Sequence, residues 1–592
     1  MFSPASTILG VLFFGGVGLC KLYEDVADLP RLQYDYVVVG GGTAGNVVAN
    51  RLTENPDVSV LVLEAGVSNE GVLISEVPFL GNDFFASINP YSWNYTTTPQ
   101  TGLNGRAISY ARAYLLGGCS SHNGMVYTRG AQDDFDRYAN LTGDEGWSWN
   151  QIFPYFLKNE KWTPPADQHD THGQFNPGIH GTAGPISVSL SGFQWPDFQR
   201  RIIQTTEELP DDFPFNLDMN SGQPLGVGWV QSTIGHGERS SSATGYLAPD
   251  FIQRPNLDVL LHAQVSKLVN VTQHQGKPSF GGVQFRSGAS LFVAEASKEI
   301  ILSAGSIGTP QILLNSGVGD HNALHALGIP TVLDLPSVGQ NASDHSYFGL
   351  TWAVNSDDTI ESITQNATRF NEASEQWNTS RTGPFVFPQT GTHAGWLRLS
   401  QDSPAFDVHA DPSPGPGAPH FELLLLPSGQ DLPGNFVTAL LAMVSPVSRG
   451  SVTVSSDDPF ADPLIDPGYL ASEFDAIALR EGVKLAQKFF NASAWHGYLG
   501  APTINLAAMN ATEQMATLRA NVASGSHTVG TASMSPRDAT YGVVNPDLTV
   551  KGIAGLRVID ASVLPIVPGA HTQAATYVVA ERGADLVKQL WT

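Results

Sequence analysis

Cysteine is the scarcest chemistry in this chain: 592 residues contain two, Cys20 and Cys119. That excludes a disulfide framework and a cysteine metal site. Positive charge is also short, with 30 Lys and Arg against 55 Asp and Glu, a formal charge of −25. Such a surface repels phosphate backbones and anionic lipid, so nucleic acid and membranes are not expected partners. Internal repeats, heptads, long low-complexity segments, a nucleophile elbow and a basic-aromatic patch are all missing. His169, His172 and His180 share a polar loop with Asp167 and Asp170, but their spacing fits no zinc pattern, and no metal is expected. Ser240–Ser242 follows Arg239 without a nearby base, which reads as a turn before a sheet strand.

What is present describes a loop-rich globular protein with a large core: 42% hydrophobic residues, 60 Gly and 39 Pro. The apolar run Ile8 to Cys20 is too short to span a membrane and has the form of a secretory leader, expected over residues 1–23. No Lys or Arg precedes it. Asn-x-Ser/Thr triplets at Asn94, Asn140, Asn270, Asn341, Asn366, Asn378, Asn491 and Asn510 fit the same expectation, a secreted glycoprotein.

Segments with parallel-sheet character are scattered. Tyr34–Val39 and Val58–Leu63 lie near the start, Leu257–Leu261 and Lys298–Ser303 in the middle, and Leu556–Asp560 near the end. Helical stretches follow at Asn46–Thr53, Gln311–Leu314 and Ala574–Leu586. Polar, Pro-rich stretches separate them, roughly residues 160–235 and 350–520. The simplest arrangement is two interleaved domains, one binding a dinucleotide and the other covering it. The first strand runs into Gly40-x-Gly42-Thr43-Ala44-Gly45, and Glu64 closes the second. Gly40 permits the tight turn, Gly42 admits a pyrophosphate, and Gly45 lets helix and strand pack. The helix N-terminus favours the phosphates, and a carboxylate at Glu64 can accept hydrogen bonds from a ribose.

Beyond this motif, the string Tyr110-Ala-Arg112 through Leu116-Gly-Gly-Cys-Ser-Ser-His-Asn-Gly-Met-Val-Tyr127 and the string Gly305-Ser-Ile-Gly-Thr-Pro-Gln311 with Ser316–Gly319 appear in order. With these, the chain resembles the glucose-methanol-choline (GMC) oxidoreductase family over nearly its whole mature length. The resemblance implies an α/β fold: a Rossmann-like FAD-binding domain (33–160, 236–345, 526–592) interleaved with a sheet-and-helix substrate domain (161–235, 346–525). It implies FAD contacts at Gly117, Gly118, Ser120, His122, Asn123, Gly124, Val126, Val265, Asp560, Ala561, Thr572 and Gln573, beside the first motif. It also implies that His527 is the catalytic base and His571 its partner. A neutral imidazole, with an unperturbed pKa near ~6.5, can take an alcohol proton as hydride leaves for the flavin. Some relatives attach FAD covalently through a histidine in a Gly-Gly-Cys-Ser-Ser-His-Asn segment, which here makes His122 the candidate; its alternative role is packing beside the flavin.

Two subgroups compete. Trp93–Thr98 and Pro164–Asp167 look like secreted aryl-alcohol oxidases, which turn oxygen into peroxide. Gly124 and Ser526 stand where those enzymes carry aromatics, a change expected to widen and polarise the entrance. His122–Tyr127 and Phe213–Met219 look more like pyranose dehydrogenases, which oxidise sugars and reduce quinones or organic radicals. The reading is therefore a sugar dehydrogenase, with an aryl-alcohol oxidase as the alternative. A hydroxynitrile lyase and a catalytically dead binding protein are more remote alternatives on the same fold.

Overall fold

A strand buried on both faces has no use for polar alternation, and Tyr34–Val39 has almost none. In the computed structural model, which describes residues 22–82, 88–429 and 432–591, this segment lies in the middle of an eight-stranded sheet. The sheet contains Leu22–Tyr23 (β1), Gln33–Val39 (β2), Val60–Leu63 (β3), Leu257–Leu260 (β4), Gln264–His274 (β5), Lys277–Ser287 (β6) and Ser290–Leu302 (β7). Their order is β1-β4-β3-β2-β7-β6-β5, parallel from β1 to β7 and antiparallel through the β5–β7 hairpins. Val37, Val38 and Val39 are at most 2% exposed.

After β2 the chain turns at Gly40, whose φ of +100° and 2.6 Å approach to the Ser303 carbonyl leave no place for a side chain. Helix α1 (Gly45–Leu52) follows. Helix α2 spans Gly305–Asn315, so it begins six residues before the helical stretch expected at Gln311–Leu314.

The second sheet is antiparallel and comes from the inserted segments. Its long strands are Ser346–Val354 (β8), His393–Leu397 (β9), Phe421–Leu426 (β10) and Phe436–Met443 (β11), in the order β8-β11-β10-β9. Gly226–Trp229 pairs with β9, and Leu499–Pro502 and Ala523–Ser524 pair with β8. The two faces of β10 separate by the period of two. Phe421, Leu423 and Leu425 pack in one core with Phe474, Leu479 and Phe489 of helix α3 (Glu473–Phe490). Glu422, Leu424 and Leu426 point the other way. The chain then returns to the first sheet with Leu556–Val558 (β12), beside β7, and ends in helix α4 (Thr572–Trp591). Glu581 of α4 is buried, and its carboxylate lies 2.7 Å from Arg51 of α1 and 2.8 Å from Lys158. The interleaving expected from the scattered segments is the architecture observed.

Two expectations change. Residues 1–21 of the expected leader lie outside the described residues, but Leu22 and Tyr23 pair with Val259 and Leu260 as the sheet's edge. The Tyr23 and Tyr34 hydroxyls both donate to Asp258, at 3.1 and 2.9 Å. Those two residues belong to the fold. Ser240–Ser242 does not lead into a strand: Ser241 caps a short helix, Ser242–Tyr246, by accepting the Thr244 N–H. All eight triplet asparagines are exposed, as glycan attachment requires.

His180 joins the 160–235 insertion to the first sheet's domain. Its Nδ1 lies 2.5 Å from Glu160 and its Nε2 2.8 Å from Asp218, while Arg129 also pairs with Glu160. Both ring nitrogens therefore carry protons. Burial works against that charge, but Asp218 and Glu160 outweigh it and raise the His180 pKa. A raised folded pKa gives stability that is full below the unfolded value of about 6.5 and is lost as pH rises through the folded one. The melting temperature should fall as pH rises above about 6.5, and His180→Gln should lose about 3 kcal/mol and most of that slope. An unchanged slope in the variant would contradict this role.

Candidate active site

A cavity of about 770 Å³ separates the two sheets. That volume suits an enclosed cofactor together with a small substrate. Gly40, Gly42, Thr43, Ala44, Glu64, Gly118, His122, Asn123, Gly124, Val126, Val265, Asp560, Ala561, Thr572 and Gln573 all line it, as do His527 and His571. Gly45, Gly117 and Ser120 stand behind the wall. A Cβ on Gly45 would lie 1.9 Å from the Gly40 carbonyl, so its absence lets α1 close onto the turn. The Ser120 hydroxyl donates to the Gly117 carbonyl and accepts the Ser242 N–H, bracing the loop from within.

The first arm of the cavity fits a dinucleotide. The only heavy atom within 4 Å of a Cβ built on Gly42 is Gly118 Cα, at 3.8 Å, so that Cβ would occupy space facing the cavity. No side chain caps the start of α1; the Asn46 N–H donates to the Gly42 carbonyl at 3.3 Å, and the other first-turn N–H groups are left for a ligand. The Glu64 carboxylate accepts the Gly41 and Gly66 N–H groups at 2.8 and 2.7 Å. Burial raises its pKa to about 7, with those backbone donors opposing. Asp560 is saturated: one oxygen accepts from Gly305 and Thr309, the other from the Ser562 N–H and hydroxyl. Asn123 donates to Gln573, tying the His122 loop to the start of α4.

The other arm ends at two imidazoles. The rings of His527 and His571 have centroids 4.6 Å apart and planes at 72°. Different supports hold them. His571 Nε2 donates to Glu422 of β10 at 2.8 Å, and its backbone N–H to Thr128 at 2.9 Å. Tyr347 donates to the second Glu422 oxygen at 3.2 Å. His527 follows Ser526, whose φ of +58° is left-handed without being glycine. Arg112 holds that turn, donating to the Ser526 carbonyl at 3.0 Å and the Thr528 hydroxyl at 2.8 Å. Burial, then the neighbouring His571, His345 and Arg112, hold the His527 pKa well below the ordinary imidazole value. His122 is also held neutral, at about 3, by burial and then by Arg239 and Arg112. A buried neutral imidazole beside a substrate cavity can take a proton, and a second one can orient the group that gives it up.

The entrance differs from expectation. A Cβ on Gly124 would lie 2.4 Å from the Thr390 methyl, and the Thr390 hydroxyl donates to the Gly124 carbonyl at 3.0 Å. Thr390 fills the space, so Gly124 does not widen the mouth. Phe79, Trp93, Tyr95, Phe370, Leu424, Leu426 and Leu440 keep the walls largely apolar. Among the described residues no cluster has metal-ligand form, and His169 bonds Asp167 and Gln174 instead.

Asp344, His345 and Glu422 were not singled out from the sequence. Glu422 carried a readable signal, a lone carboxylate within the apolar run Phe-Glu-Leu-Leu-Leu-Leu. Asp344-His345 had none, because its importance comes from strand pairing with residues 523–529.

Comparison with known proteins places the chain. Residues 34–347 and 446–580 match the sequence profiles of the GMC oxidoreductases. The chain is 42% identical to "Dehydrogenase eriK" of Hericium erinaceus over 584 residues, covering 96% of each. It is 41% identical to "Pyranose dehydrogenase 3" of Leucoagaricus meleagris, covering 95% of this chain and 94% of that one. A solved structure of an Aspergillus oryzae RIB40 formate oxidase variant superposes with a TM-score of 0.86 at 28% identity, covering 94% and 98%.

Proposed function

The chain belongs to the GMC oxidoreductase family, FAD-dependent enzymes acting on CH–OH donors, and we propose that it is a pyranose dehydrogenase. The observation that carries the chemistry is the His527–His571 pair at the cavity wall, with one imidazole held neutral. The glycine loop, Glu64, the 117–126 loop and the start of α4 would hold FAD, which would supply the hydride acceptor. His527 takes the hydroxyl proton on Nε2, its cavity-facing nitrogen. His571, braced by Glu422, hydrogen-bonds the same oxygen and aims its carbon. Loss of the proton makes the C–H bond a hydride donor, so the two transfers are coupled through one oxygen.

Likeness to the pyranose dehydrogenase supports a sugar as donor, and Ser526 supports it at the entrance. The acceptor is a quinone or organic radical rather than oxygen. Catalytic efficiency should be higher on glucose than on a methoxybenzyl alcohol, with benzoquinone better than air. Faster benzylic turnover in air with peroxide formed would return the aryl-alcohol oxidase reading. A flavin that never bleaches anaerobically with any alcohol would return the lyase.

His122 tethers the FAD in this reading. Its support is the Gly117–Asn123 string and a buried neutral ring whose lone pair is not taken by a proton. Acid-precipitated enzyme should keep its yellow colour in the pellet. His122→Ala should release FAD to the supernatant while binding it before denaturation. Free FAD from the native enzyme would end the tether claim and leave FAD binding intact. The secretory leader belongs to the same reading, with cleavage before Leu22 so that the edge strand survives.

A further inference from the structure

A third imidazole, His345, stands against His527 and away from the cavity wall. It is fully buried at the start of β8, and its Nδ1 lies 3.0 Å from Nδ1 of His527 with the rings nearly perpendicular, at 89°. The backbone fixes this meeting. The Gly525 N–H donates to the His345 carbonyl at 2.8 Å, and Ser346 pairs with Ser524. Asp344 Oδ1 accepts the backbone N–H groups of both histidines, at 2.8 and 2.6 Å.

Two lone pairs at 3.0 Å repel, so one hydrogen lies between the two nitrogens. Which nitrogen owns it decides what His527 can do. His345 is surrounded by His571, Glu422, Asp344 and His527, and burial holds it neutral, with a pKa of about 4. A neutral ring carries a single N–H. Its Nε2 is enclosed, with no hydrogen bond within 3.5 Å; the backbone acceptor that acts on the ring is the Pro568 carbonyl, and because Nδ1 faces His527 we take that carbonyl to favour the proton on Nε2. Nδ1 of His345 is then left as an acceptor.

We infer that His345 is a positioning residue: its Nδ1 accepts the His527 Nδ1–H and fixes the tautomer in which His527 Nε2 is unprotonated. Nε2 of His527 has no hydrogen-bond partner among the described residues, and His527 lines the cavity. The two imidazoles of the pair thus have unlike orienters. Glu422 behind His571 is a carboxylate, whose charge favours a proton on its partner. A carboxylate behind His527 would do the same and leave less of the ring neutral at neutral pH. A neutral imidazole aligns the ring and fixes its tautomer without adding charge. In the opposite arrangement His345 would donate, His527 Nε2 would bear hydrogen, and the base would have to be His571.

This inference rests on His527 as the base, and its test separates the two claims. Neutron diffraction of deuterium-exchanged holoenzyme crystals should place deuterium on His527 Nδ1 and His345 Nε2. Deuterium on His345 Nδ1 overturns the inference whichever residue is the base. Kinetics give a second route. His345→Gln keeps an acceptor, whereas His345→Phe keeps only a ring. Anaerobic flavin reduction should stay within about tenfold of native in the first and fall by about 10²–10⁴ in the second, with KM little changed in both. Equal rates in the two variants overturn the inference. A native rate in His527→Ala would instead remove the base assignment, leaving the neutron result to stand alone.

Discussion

One buried carboxylate, Asp344, organises the two-histidine end of the cavity. Its two oxygens accept six donors: the backbone N–H groups of His345 and His527 on one, and the hydroxyls of Tyr110, Tyr469, Ser524 and Thr528 on the other. A buried charge is tolerable only when its hydrogen-bonding capacity is met, and each bond to a charged group contributes about 1.5–3 kcal/mol. These donors come from segments separated by up to 418 residues in sequence. Satisfying Asp344 therefore draws together the loop before β8, the strand before His527 and the approach to the His122 loop.

The cavity follows from the same convergence. Glycines set the approach of backbone to ligand on the first sheet. The face of β10 that carries Glu422, Leu424 and Leu426 supplies the opposite wall, where Glu422 stands among leucines. Each imidazole of the pair comes from the last segment of the chain, but its orienter comes from the inserted sheet. A substrate hydroxyl would thus meet groups supplied by both halves of an interleaved fold.

The parts of the site legible in the sequence were those whose chemistry is local. Gly40, Gly42, Gly45 and Glu64 lie within one strand-turn-helix-strand unit, so spacing alone singled them out as a group. The scattered apolar strands likewise gave the interleaved architecture. His527 and His571 became distinct from fourteen other histidines only through a family resemblance, since nothing in their immediate neighbours marks an imidazole as catalytic. Contacts between distant segments stayed hidden. Thr390 fills the space beside Gly124 from 266 residues away, which cancels the expected effect of that glycine. His345 gains its meaning from a partner 182 residues later. The edge strand at Leu22–Tyr23 was absorbed into the leader because two residues carry no readable period.

The central claim is that a neutral His527, shaped by burial and its neighbours, removes the proton that makes the alcohol carbon a hydride donor. The most direct measurement is the rate of anaerobic flavin reduction by substrate, followed by stopped flow against pH in the native enzyme and in His527→Ala. Because the His527 pKa is depressed, the native rate should stay flat as pH falls from neutral through 6.5. The variant should be slower by about 10²–10⁴ while retaining FAD. A native rate that drops with an inflection near or above 6.5, or a variant that reduces flavin as fast as the native enzyme, would contradict the account.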